Sequence, residues 1–123
     1  IAETVKAARE FYPGRRVVLV YQPHQHHRTK MLFNDFVAAL ALPDILILSD
    51  IYDVAGRENS ADQDVSSAKL LEMIKMSSAT GEYHYGGNLA NTERLAREII
   101  KESDVMLVMG AGDIDSVARK LLC

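Results

Sequence analysis

Three uninterrupted apolar runs, Val17-Val18-Leu19-Val20, Ile45-Leu46-Ile47-Leu48 and Val105 to Met109, constrain the fold more than any other feature of this chain. A run without polar alternation has no face to turn to water, which is the pattern of parallel strands covered by helices on both sides. Between the runs, apolar residues recur at helical spacing. Ile1, Val5, Ala8 and Tyr12 precede the stop at Pro13-Gly14, and Leu32, Phe33, Phe36, Val37 and Leu40 end near Pro43. Ala68, Leu71 and Ile74 predict a helix capped by Asp64 or a nearby serine. Leu95, Ala96, Ile99 and Ile100 predict another. Ile114, Val117, Ala118 and Leu121 predict a last one, with Asp113 as its N-cap. Tyr83-His84-Tyr85 reads as a short strand closed by Gly86-Gly87, and Asp50 to Asp64 as a long polar loop. Strand and helix alternate throughout, which predicts an α/β, Rossmann-like three-layer domain with a mostly parallel sheet and helices on both faces.

With 123 residues the chain is expected to form one domain, residues 1–123. A net charge of −3 with mixed signs lacks the basic face of a nucleic-acid binder, so no nucleic acid is expected as a partner. No apolar run approaches the roughly 18–20 residues that span a bilayer, so no membrane partner is expected either. Cys123 is the single cysteine and no basic-then-apolar leader is present, which makes the cytoplasm the expected compartment.

In a parallel sheet the strand ends at Tyr21, Ser49, Tyr85 and Met109 lie at one edge, and their loops converge on one crevice. The loop after the first strand is Gln22-Pro23-His24-Gln25-His26-His27-Arg28-Thr29, running directly into a helix. Three histidines within four residues invite a metal reading. A structural zinc site needs four ligands at recognised spacings and no cysteine is near, so no metal is expected. His26 and His27 read as solvated loop residues, while Pro23 fixes the backbone before His24. Arg28 carries a planar fork suited to a carboxylate or phosphoryl oxygen. Its bland reading is a helix-entry arginine paired with Asp35 or Glu58. Asp50, at the tip of the second strand, suits a bound ammonium, though aspartate also ends strands as an ordinary turn residue. Tyr52 and Arg57 are candidates for the same pocket. Gly110-Ala111-Gly112-Asp113 joins the last strand to the last helix. Its two glycines permit close approach of a ligand and a helix N-terminus favours negative charge. The third glycine of the dinucleotide fingerprint is missing, so a tight strand–helix turn remains the plain alternative.

Taken together, the strand followed by QPH, then Arg28-Thr29, then a helix with the Phe33/Phe36 pair resembles the C-terminal domain of the Mur ligases. Ser49-Asp50-Ile51-Tyr52 with Ala55, and Met109-Gly110-Ala111-Gly112-Asp113-Ile114, agree in order. The resemblance spans nearly the whole chain and is strongest to the branch of the family that joins L-alanine to UDP-N-acetylmuramate in peptidoglycan synthesis. It implies an ATP-dependent carboxylate–amine ligase in which this amino-acid-binding domain closes on an acyl phosphate. It also implies that His24 and Arg28 lie near the incoming amino acid and the phosphate end of the nucleotide. The Asp50 loop would recognise the amino acid, and Gly110 to Asp113 would face substrate. None of these residues would break bonds.

The chain departs from the family pattern at Gln25, where many relatives carry arginine, leaving Arg28 the principal cation of the motif. No Gly-x-x-x-x-Gly-Lys-[Ser/Thr] loop is present, so nothing here cradles a triphosphate alone. By resemblance, UDP-sugar binding belongs to further domains of the full-length enzyme, and ATP and Mg2+ are bound mainly by its central domain. No cofactor is expected in residues 1–123, and the domain alone is expected to be inactive. Other readings are a murein peptide ligase or another Mur ligase, and a free-standing Rossmann-like module for a nucleotide or small anion.

Overall fold

The three apolar runs and the Tyr83–Tyr85 segment become four strands of one parallel sheet. They are β1 (Val17–Gln22), β2 (Ile45–Ser49), β3 (Glu82–Gly87) and β4 (Val105–Gly110), in the order β3-β2-β1-β4. The computed structural model describes residues 1–24, 26–52, 66–77, 80–110 and 112–121, with backbone alone at 26–28 and 112. The helices are α1 (Ala2–Phe11), α2 (His26–Met31), α3 (Phe33–Leu40), α4 (Ser67–Met76), α5 (Leu89–Ile99) and α6 (Asp115–Leu121).

Alternate strand residues build the two outer layers, because successive side chains leave a strand on opposite faces. Leu19, Tyr21, Leu46, Leu48 and Tyr83 pack with Phe36, Val37 and Leu40 of α3 and Leu70, Leu71 and Ile74 of α4. Val5 and Ala8 of α1 close over Val17. On the other face Val18, Val20, Ile45 and Ile47 meet Ala96 of α5 and Val117 of α6, with Ile114 between. Every residue of β1 and β2 is buried, whereas Val105 to Met109 of β4 are half-buried because β4 is an edge strand. The expected three-layer α/β architecture is therefore the observed one.

Two local expectations need correcting. The segment after QPH is two helices rather than one, since Leu32, at φ −110° and ψ 22°, leaves the helical region between α2 and α3. Asp113 does not cap the last helix. Burial of Ile114 draws Gly112–Ile114 into a tight 3-10 turn, α6 starts only at Asp115, and the Asp113 carbonyl accepts a hydrogen bond from Ser116 Oγ at 2.7 Å. The α4 cap is Ser66, whose hydroxyl accepts from the Lys69 amide at 3.1 Å; the Asp64 alternative lies outside the described residues.

The connections also fix where a ligand can enter. From β1 the chain steps through α3 and α4 on one face to β2 and β3. It then returns by α5 on the other face to β4, on the far side of β1. Right-handed crossovers require that change of face when the direction of stepping reverses. The chain thus leaves β1 toward one layer and β4 toward the other, and a crevice opens between their carboxyl ends, the topological switch point.

Candidate functional site

A cleft of about 630 Å³ lies at that switch point, lined by Tyr21 and His24 after β1, Met109 and Gly110 of β4, and Asp35 and Phe36 of α3. Tyr21 and Phe36 contribute an aromatic wall, with ring centroids 6.0 Å apart. Of the residues singled out from sequence, His24 and Gly110 line this cleft; Asp50, Tyr52 and Asp113 lie outside its wall.

Gly110 is dictated by its neighbour. It pairs with Gln22 in the sheet, its φ is +136°, and a Cβ there would stand 2.4 Å from the Gln22 carbonyl oxygen. No side chain fits that contact, so the two strands pinch together beneath the cleft. Gln22 itself is 7% exposed, and its Oε1 has no partner among the described residues.

The loops after β1 and β2 are tied to each other. His24 and Tyr52 form an isolated parallel bridge, the Tyr52 amide donates to the Pro23 carbonyl at 2.8 Å, and the two rings stack at 5.8 Å and 22°. The buried Pro23 holds the backbone extended where this bridge needs it. His24 and Tyr52, separated in sequence by a whole crossover, thus share one platform.

Asp50 lies further along the same edge. Its amide donates to the Gly87 carbonyl at 2.8 Å, and its Oδ1 accepts from the Tyr85 hydroxyl. Register slips between Leu48 and Ser49, so that Leu48 faces Tyr85 and Ser49 faces Gly87. Gly86 fills the slip: a Cβ there would stand 2.4 Å from Thr92 Oγ1, and its carbonyl accepts from Asn91 Nδ2 at 2.7 Å. The Tyr85 phenol is held above its ordinary pKa, first by the hydrogen bond to Asp50, then by burial and by the aspartate's charge. It therefore stays a neutral donor through the physiological range. The sequence places Tyr85 at this edge as a strand end, but its hydrogen bond to Asp50 has no local sequence signal.

The described residues leave part of the candidate set aside. Arg57 and Ala111 lie outside them, as does the side chain of Arg28, and Gly112 enters only as backbone of the 3-10 turn. Asp113 is exposed in that turn. Among the described residues no three His, Cys, Asp or Glu side chains converge as metal ligands do. No described helix is long and apolar enough to cross a membrane.

The opposite edge of the sheet is built differently. Arg16 grips Asp104 through two bonds, Nε to Oδ1 at 2.9 Å and Nη2 to Oδ2 at 2.5 Å, and the Lys101 amide adds a third at 2.9 Å. Asp44 accepts from the Val17 amide at 2.8 Å and pairs with Arg9 at 3.2 Å. These carboxylates tie strand starts together and have their partners within the fold.

Comparison with known proteins agrees with this architecture. Residues 1–112 match the family model described as Mur ligase, glutamate ligase domain. The chain is 41% identical over 121 residues to a UDP-N-acetylmuramate–L-alanine ligase of Nitrosomonas eutropha, covering 98% of this chain and 25% of that protein. It is 38% identical over 122 residues to the protein of that name from Neisseria gonorrhoeae, covering 99% and 25%. The crystal structure of UDP-N-acetylmuramate-alanine ligase MurC from Thermotoga maritima shares the fold, with a TM-score of 0.67 at 23% identity over 97% of this chain and 22% of that one. The chain spans about a quarter of the length of these relatives. With its four parallel strands, its crevice at the β1–β4 switch point and a family match over residues 1–112, the chain belongs to the Mur ligase family as a glutamate ligase domain.

Proposed function

We propose that this domain positions L-alanine in an ATP-dependent ligase that joins it to UDP-N-acetylmuramate during peptidoglycan synthesis in the cytoplasm. The observation that carries the reading is the crevice at the β1–β4 switch point, with His24 and Gly110 in its wall and the Tyr52 and Asp50 loops beside it. Relatives that bear the name of this activity, at 34–41% identity, support the choice of substrates.

In this reading the substrate carboxylate is first activated by ATP as an acyl phosphate. The alanine ammonium gives up a proton to solvent and its amine attacks the acyl carbon. The C–N bond forms, the acyl C–O bond to phosphate breaks, and phosphate leaves with the electron pair while a second nitrogen proton is released. Asp50 receives the ammonium of the amino acid, and Arg28 holds an anionic group of the substrates by its fork. His24, Tyr52 and Arg57 shape the pocket, while the backbone from Gly110 through Ala111 and Gly112 to Asp113 approaches substrate closely. These groups orient reactants and exclude water from the acyl phosphate, the task of a closing domain. ATP and Mg2+ are held mainly outside residues 1–123. The carboxylates described here do not converge as a magnesium site requires, and no step is assigned to a metal on this domain.

The test is phosphate release by the full-length protein that carries this domain. Release is expected only when ATP, UDP-N-acetylmuramate and L-alanine are all present. Release that does not depend on L-alanine would overturn the assignment.

A further inference from the structure

We infer that Tyr85 is a positioning residue for amino-acid recognition, its hydroxyl fixing the Asp50 carboxylate so that Oδ2 alone faces the incoming ammonium. The inference rests on the proposed role of Asp50 and adds a residue, and a geometry, to it.

Asp50 follows β2 and would swing freely if only its own backbone held it. The Gly87 carbonyl anchors its amide at 2.8 Å, which sets the direction of the Cα–Cβ bond. The Tyr85 hydroxyl then donates to Oδ1. One carboxylate oxygen is thereby engaged and the other is left for a cation. The phenol is a suitable clamp because it is a neutral donor at physiological pH and brings no charge to compete with the ammonium.

The clamp is itself anchored. Tyr85 lies opposite Leu48 in the β2–β3 register, just before the slip that lets the Asp50 backbone reach Gly87. The Gly86 carbonyl that follows is held by Asn91, and Asn91 in turn by Arg94 Nη2 at 2.7 Å. Tyr85 is nonetheless 46% exposed and Asp50 is exposed. A pair buried in the core could not meet a ligand, and a pair free in solvent would be disordered. This one is fixed by β3 and accessible to solvent at the carboxyl edge of the sheet. Had the contact been only a tie between β2 and β3, the backbone ladder already supplies that tie, since Ile45 to Leu48 pair with Glu82 to Tyr85.

The experiment uses the full-length ligase with Tyr85→Phe, Asp50→Asn and the double variant, each assayed with all three substrates. Tyr85→Phe is expected to raise the KM for L-alanine roughly 5- to 20-fold, the range for losing one hydrogen bond to a charged group at a partly exposed site. The KM values for ATP and UDP-N-acetylmuramate and the melting temperature are expected to stay near wild type. Asp50→Asn is expected to raise the same KM further, and the double variant to be no worse than Asp50→Asn. An unchanged KM for L-alanine in Tyr85→Phe, or a fully additive double variant, overturns the positioning role while leaving that of Asp50 standing. Wild-type kinetics in Asp50→Asn would overturn both. A lowered melting temperature with an unchanged KM for L-alanine would make the pair a structural clasp and overturn the inference.

Discussion

In the proposed reading, Arg28 and Gly110 do opposite kinds of work at the functional edge, one through charge and one through the lack of a side chain. Gly110 is specified by a backbone contact that no other residue satisfies. Arg28 is proposed on chemistry: the family resemblance puts Gln25 where many relatives carry arginine, which would leave Arg28 the principal cation of the QPH motif. If it holds an anionic group of the substrates, Arg28→Ala in the full-length ligase is expected to lower kcat/KM roughly 30- to 1,000-fold. That range corresponds to about 2–4 kcal/mol for losing a charge-assisted bidentate contact. Arg28→Lys is expected to recover only part, because an ammonium cannot reproduce the planar fork. Near-normal kinetics at a wild-type melting temperature would make Arg28 an ordinary surface residue. A collapse of thermal stability would make it a tie between loop and helix.

At the scale of elements, the two edges of the sheet divide the labour. The carboxyl edge keeps polar groups beside a cleft, whereas the amino edge consumes its charges in ties between strand starts. The Asp104 side chain is 2% exposed, and the Arg16 hydrogen bonds hold its carboxyl below the ordinary aspartate range despite its burial. A carboxyl whose folded pKa is depressed contributes stability that is fully present above its unfolded value and lost as pH falls through the folded value. Stability of the wild-type domain is therefore expected to fall with acidification below about pH 4, the unfolded aspartate range. Asp104→Asn is expected to be less stable by several degrees at pH 7 and to show a shallower acid limb, read by thermal melts from pH 7 to 3. An acid limb identical to wild type would show that the pair carries no linkage.

At the scale of the molecule, the substrate-positioning groups proposed for this domain are not joined, in its sequence, by a phosphate-cradling P-loop. Residues 1–123 expressed alone are therefore expected to show no ATP-dependent ligation of L-alanine to UDP-N-acetylmuramate, and to bind ATP weakly at best. Ligation by the isolated domain would overturn the division of labour proposed here. A submicromolar ATP affinity by calorimetry would favour a free-standing nucleotide-binding module.

The layered α/β fold was legible because it depends on local chemistry. Uninterrupted apolar runs have no stable home except under helices on both sides, and Val17 to Val20 and Ile45 to Leu48 are buried throughout. The QPH, Asp50 and Gly110 motifs were legible as strand ends for the same reason, as each follows such a run. Pairing across chain separation was not legible. Nothing in the local sequence says that β4 crosses back beside β1, that His24 stacks on Tyr52, or that the Tyr85 hydroxyl reaches Asp50. Strand order, the slip at Ser49 and the 3-10 turn that displaces Asp113 from its capping role follow from how separate segments share one core. Local pattern determined which residues become strands, helices and strand ends. Tertiary packing alone decided which of those ends meet, because contacts between distant segments are settled by burial and sheet register rather than by any property of the residues taken singly.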